Sequence, residues 1–131
     1  MKIEKGKIIL SESEEQANFV AYCRNKDIRI FSIPNGSYLG KSNRRFGVIN
    51  KLKKEGMSNG VPDLYIPIIT EKYAGLFIEF KRKNGKKSDL RKGQEEWLEY
   101  LNNEGYKAEV AFGCNHAKEI LENYLGGDVS G

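Results

Sequence analysis

Apolar residues are densest in two short runs near the middle of the chain, residues 64–69 (LYIPII) and 75–81 (GLFIEFK), joined by a Gly-containing connection. Their β-branched and aromatic content predicts the two strands of a hairpin. Side chains alternate along a strand, so Glu79 and Lys81 share one face of the second run while Phe80 points to the other. Near the start, Ser11 or Ser13 offers an N-cap, and Glu12, Glu14 and Glu15 fill the first turn of a helix running to about Lys26, with Ala17, Val20, Ala21 and Cys23 inward. Residues 27–33 (DIRIFSI) read as a strand ending at the turn Pro34-Asn35-Gly36, and residues 48–55 as a short helix closed by Gly56. After the hairpin, residues 84–87 (NGKK) turn the chain, and Ser88 is placed to cap a helix to about Glu104 with Leu90, Trp97, Leu98 and Leu101 at helical spacing. Residues 106–112 form a last strand, parallel to its neighbour because a helix makes the crossover. Asn115 then caps a final helix stopped by Gly126-Gly127, and residues 1–10 add a short strand or an ordered arm. Strands interleaved with helices make the chain α/β.

Composition narrows the picture. The chain has 131 residues, enough for one domain with a real core and too few for two, with the core over about residues 11–125 and a loose tail over 126–131. Hydrophobic residues make up 39% and charged residues 31%, with neither a signal-peptide pattern at the start nor an apolar run long enough to span a bilayer, so a cytoplasmic location is expected. Cys23 and Cys114 lack metal-ligand spacing, and one histidine, His116, supplies neither a zinc site nor a Ser/His triad.

Net charge is only +4, but it is unevenly spread. Residues 41–56 hold Lys41, Arg44, Arg45, Lys51, Lys53 and Lys54 against Glu55 alone, and residues 81–92 hold Lys81, Arg82, Lys83, Lys86, Lys87, Arg91 and Lys92 against Asp89 alone. Clusters of this kind, flanking the hairpin on both sides, are the electrostatic footprint of a polyphosphate partner. Lys41, Arg44, Arg45, Lys51, Arg82, Lys83, Lys86 and Lys87 are therefore candidate nucleic-acid contacts, gripping phosphates without reading bases. Between the clusters lie Asp63, which follows Pro62 at the mouth of the first strand, and the Glu79/Lys81 pair. Buried without partners these charges would be costly, and two carboxylates beside a lysine suit a hard divalent cation. The chemistry this points to is hydrolysis of a phosphodiester by a metal-activated water.

Pro62-Asp63 followed by Glu79-Phe80-Lys81 resembles the active-site signature of the PD-(D/E)XK nucleases. The local forms GVPDL and GLFIEFKR, followed by Gly, Ser and Q..WL..L...GY, resemble the VRR-NUC family more specifically, over about residues 11–125. The resemblance implies a restriction-endonuclease-like core, a mixed central β-sheet flanked by helices. It implies a metal-dependent DNA endonuclease of a stand-alone, phage-type kind, working in the host cytoplasm as a homodimer on junction or branched DNA, with Mg2+ or Mn2+ as cofactor. Asp63, Glu79 and the backbone carbonyl of Phe80 would hold the metal; Lys81 would act on the water; Gln94 would reach the site from the later helix. An acid on the first helix often completes such sites, and Glu14 is assigned that role, with Glu15, about 100° further round the helix, as the alternative. A non-catalytic nucleic-acid-binding module and an RNA-directed nuclease on the same fold remain the competing readings.

Overall fold

A computed structural model describes residues 2–35 and 44–126. In chain order these form β1 (Lys2–Glu4), β2 (Lys7–Ile9), α1 (Glu12–Asn25), β3 (Phe31–Ser32), α2 (Arg44–Lys54), β4 (Leu64–Ile66), β5 (Leu76–Lys81), a short 3-10 turn (Lys87–Asp89), α3 (Lys92–Asn103), β6 (Lys107–Phe112) and α4 (Cys114–Tyr124). β1 and β2 pair only with each other. The main sheet has the order β3-β4-β5-β6, antiparallel from β3 to β5 and parallel between β5 and β6, so the predicted mixed sheet is observed.

The sheet has two unlike faces. Leu64, Ile66, Leu76, Ile78 and Phe80 point to one side and are buried with Phe19 and Cys23 of α1 and with Ala117, Ile120, Leu121 and Tyr124 of α4. Tyr65, Phe77, Glu79 and Lys81 point to the other, where α3 lies across the β6 side. The outward backbone groups of β6 are largely occupied: the Asn102 side chain donates to the Ala108 carbonyl (3.0 Å) and accepts from its N–H (2.9 Å), and His116 Nδ1 accepts from Phe112 N–H (2.9 Å). No described helix is long and apolar enough to cross a membrane.

Several boundaries differ from the sequence expectation. The strand predicted over 27–33 is reduced to Phe31–Ser32. Ser88 lies in the 3-10 turn rather than capping α3, whose N-cap is Arg91. Gly113, not Asn115, precedes α4, at φ +88°, where a side chain would also crowd Lys83. The phase of α1 is shifted as well. Glu15, Phe19 and Cys23, four residues apart, are its buried residues, while Ala17 and Ala21 face solvent, because the Phe19 ring fills the space against β5 and α4 better than two alanines.

Candidate active site

The β4–β5 register sets the geometry. Leu64 lies opposite Ile78, and continuing one residue brings Asp63 opposite Glu79. Asp63 Oδ2 accepts from Phe80 N–H at 2.7 Å and Oδ1 from Asn35 Nδ2 at 3.3 Å, which ties the end of β4 to both β5 and the segment after β3. The same register would place Pro62 opposite Phe80, and proline has no N–H to donate. A residue's N–H and C=O leave an extended strand on the same side. Phe80's carbonyl therefore emerges beside Asp63 with no donor from Pro62.

Gln94, one turn into α3, joins the remaining groups. Its Nε2 donates to Glu79 Oε2 at 3.0 Å, while its Oε1 accepts from Lys81 Nζ at 3.2 Å and from Arg91 N–H at 2.9 Å. Lys81 Nζ stands 3.8 Å from Glu79 Oε2. What lets α3 start so close to the hairpin is Gly60, at φ +85°, whose absent Cβ would stand 2.7 Å from the backbone of Gly93.

Glu79 is 2% exposed, and its Oε1 has no hydrogen-bond partner. Burial, and then the charge of Asp63, push its pKa up to about 9 against the pull of Lys81. Burial also raises Asp63, opposed by the Phe80 N–H. The two carboxylates interact directly, yet both are acceptors, so they bond only when a proton lies between them. Without a metal the pair therefore keeps that shared proton to higher pH than an ordinary carboxyl would.

Asp63, Glu79, Lys81 and Gln94 line a single cleft of about 520 Å³. The acid that α1 contributes to it is Glu12, not Glu14 or Glu15. Glu14 forms a capping box, with Ser11 Oγ accepting from its N–H (3.1 Å) and its Oε1 accepting from Ser11 N–H (2.9 Å). Glu15 is turned the other way and accepts from Cys114 N–H at 3.0 Å, at the start of α4. The Ser-x-x-Glu spacing that opens a helix was the signal that Glu14 is engaged in capping. Desolvation raises the pKa of Glu12 and Lys81 opposes it, an electrostatic link that runs across the cleft.

Of the predicted cationic contacts, Lys41 lies outside the described residues. Arg44 and Arg45 open α2, and Lys51 is exposed on it. Arg82, Lys83, Lys86 and Lys87 are exposed after β5, but Lys83 lines a different hollow, with Lys7 and Lys118 between the β1–β2 hairpin and α4. Among the described residues, the cations in the acidic cleft besides Lys81 are Lys53 and Arg91, which the charge runs contained without singling them out, and Asn35 joins them from the segment after β3.

A four-stranded mixed sheet with a carboxylate pair, a lysine and a glutamine at one end defines an α/β domain of the nuclease type. The model of the VRR-NUC domain matches residues 41–114, and the chain belongs to that family. A solved structure described as a VRR_NUC domain protein superposes with a TM-score of 0.71 at 27% identity, covering 91% of each chain. No curated protein matches.

Proposed function

We propose that this protein is a divalent-metal-dependent DNA endonuclease, selective for branched or junction DNA and acting as a homodimer. The observation that carries the reading is the unpartnered, buried Oε1 of Glu79 beside Asp63. A fold that leaves a buried carboxylate oxygen without a donor retains a costly group unless a cation completes it.

The donor set fits Mg2+ or Mn2+. Among the described residues no three His, Cys, Asp or Glu side chains come together as a metal-holding group, but one or two carboxylates plus a carbonyl, waters and substrate phosphate are what magnesium takes. Asp63, Glu79 and the Phe80 carbonyl would hold the ion. When bound it would make a water nucleophilic at neutral pH and neutralise charge on the phosphate. Lys81, held by Gln94 and Glu79, presents its remaining N–H bonds to that water or to a phosphate oxygen. Gln94 fixes where Lys81 and Glu79 point. Glu12 lies at the cleft mouth to orient water, and Arg91 and Lys53 grip the phosphates on either side. Water oxygen bonds to phosphorus as the P–O bond to the sugar oxygen breaks; the proton the water gives up passes to solvent, and the departing sugar oxygen takes one from a solvent water. Long cationic side chains on helix ends and loops follow the path of the backbone and not its sequence, which favours selection by DNA shape.

Calorimetric titration with Mn2+ and incubation with branched, linear and single-stranded DNA and RNA, in Mg2+, in Mn2+ and in chelator, test this reading. Metal-dependent cleavage of branched DNA is expected. Nucleic-acid binding without metal uptake would replace it with a non-catalytic binding module, and cleavage confined to RNA would move the activity to the other polymer.

A further inference from the structure

The acidic cleft has a neighbour. A groove of about 790 Å³ lies between the β1–β2 hairpin and the start of α4, beside the end of β5. Two segments of the chain line both hollows. On α1, Glu12 lines the cleft, while Glu15 and Asn18, three and six residues on, line the groove. At the end of β5, Lys81 lines the cleft, while Lys83 and Asn84 line the groove and Arg82 is exposed between them. Gly113 N–H donates to the Lys81 carbonyl at 2.9 Å, which fixes the start of α4 as a wall of the groove.

Lys7 enters the groove from the hairpin, Lys83 from the turn after β5 and Lys118 from α4, so three separate elements converge their cations on it. None of the three forms an ion pair; those of the described residues involve Lys81 and Lys107. Lys118 is steadied instead over the Tyr22 ring, 4.5 Å from its centroid. Among the described residues the one carboxylate in the groove is Glu15, which is already bonded to Cys114 N–H and so answers the α4 dipole rather than the lysines. Like charges gathered in one hollow repel one another and draw in an anion that relieves them. The hollow at the opposite end of the sheet is balanced by contrast, with Lys72 and Lys107 against Glu71 and Glu109, and Lys107 pairs with Glu109 at 2.8 Å.

We propose that this groove is a second nucleic-acid site, which holds a single-stranded branch of the DNA as it leaves the cleft, an assignment that rests on the reading above. The lysines alone would suit any phosphate, but the rest of the lining is apolar: Ile8, 63% exposed, Ile9 and Leu10 on the hairpin side, and Phe112 at the end of β6. A free phosphate ion gains nothing from such a wall, and the bases of a duplex are stacked out of its reach. An unpaired strand offers phosphates and base faces together, the pairing that single-strand grooves take up. Exposed Asn18, Asn84 and Asn115 add amide donors and acceptors for phosphates and base edges. The volume is that of a small-molecule pocket, which a double helix cannot enter. Because Lys83 follows Lys81 by two residues, a strand with one phosphate in the cleft continues directly into the groove.

Fluorescence anisotropy with a short labelled oligothymidylate, in chelator and across a salt series, tests the groove. Lys83→Ala/Lys118→Ala is expected to bind about tenfold or more weakly, with a log–log salt slope shallower by about 1.4, two phosphates at about 0.7 each on a single strand. Lys7→Glu, on the other wall, should weaken binding as well, while Lys72→Ala, at the far end of the sheet, should bind as the wild type does. Wild-type thermal transitions and Mn2+ uptake in the groove variants would show that the fold and the cleft are intact. Unchanged affinity and slope in the double variant overturn the proposal. An equal loss on blunt duplex overturns it too, by giving the groove to a double-stranded arm. The measurement needs neither metal nor cleavage, so a protein that cuts nothing yet loses oligothymidylate with its lysines would sink the proposed reaction and leave the groove standing. Cleavage alongside unaltered oligothymidylate binding would do the reverse.

Discussion

Two glutamates are buried among the described residues, and the fold treats them differently. Glu15, 8% exposed, puts Oε1 on Cys114 N–H at the start of α4, where Gly113 supplies no side-chain cap and the helix dipole favours a negative charge. Glu79, 2% exposed, has one oxygen on Gln94 and no donor from the chain to the other, with a second carboxylate beside it. The first charge is answered by the chain itself. The second is answered only in part, and the difference separates a carboxylate that builds the fold from one that waits for a ligand.

The largest expected effect is on cleavage. Glu79→Gln should lower kcat/KM on the best DNA substrate about a thousandfold or more, since several kcal/mol of charge stabilisation depend on the metal. Glu15→Gln should leave kcat/KM within a few-fold of wild type. Equal losses in the two variants would erase the distinction between them.

Lys81→Ala and Gln94→Ala come next. Each should cost about 10- to 100-fold in rate, the usual toll for a group that orients a metal site, while Mn2+ uptake by Lys81→Ala stays near wild type. Glu12→Gln belongs in the same range, and Glu14→Gln should leave activity unchanged. A damaging Glu14→Gln with normal thermal stability would put the wrong acid of α1 in the cleft.

Stability should respond in the opposite order. Glu15→Ala leaves Cys114 N–H without its acceptor and α4 without a cap, and should destabilise the protein by about 1–3 kcal/mol in urea titrations. Glu79→Gln should stabilise the metal-free protein. The sign follows from linkage: Glu79's folded pKa, about 9, lies above its ordinary 4.5, so the folded state holds the extra proton between those values. Its contribution is complete below pH 4.5 and is lost as pH rises toward 9. Thermal scans in chelator from pH 5 to 9 should therefore show a Tm that falls with pH in the wild type, beyond the trend in Glu79→Gln.

The smallest effect concerns the cations. Arg91→Ala and Lys53→Ala should each reduce the salt dependence of duplex binding by about one unit of log–log slope. Lys83→Ala, in the separate hollow beside α4, should change the slope only if the bound DNA extends round to that side.

Much of the site was legible in the sequence because it depends on short-range geometry. Alternation along β5 put Glu79 and Lys81 on one face, and a hairpin between two apolar runs brought Asp63 opposite Glu79. Gln94 was reached through the family resemblance, since nothing in its own helix marks it apart from an exposed glutamine. Helix phase was the weak point. Glu12, Glu14 and Glu15 are nearly equivalent by composition, and which one meets the cleft depends on where α1 lands against β5 and α4.

By itself the sequence determined the α/β class, the order of the main elements, the parallel closing strand and the carboxylate–lysine pairing, all of which follow from periodicity and turn chemistry over a few residues. Only the tertiary structure decided that Glu12 faces the cleft while Glu15 caps α4, that Gly60 and Gly93 bring α3 onto the hairpin, and that Lys83 joins Lys7 and Lys118 in a groove beside the site. These outcomes depend on contacts between residues dozens of positions apart, where a helix rotation of 100° or an approach of a few ångströms changes which side chains meet.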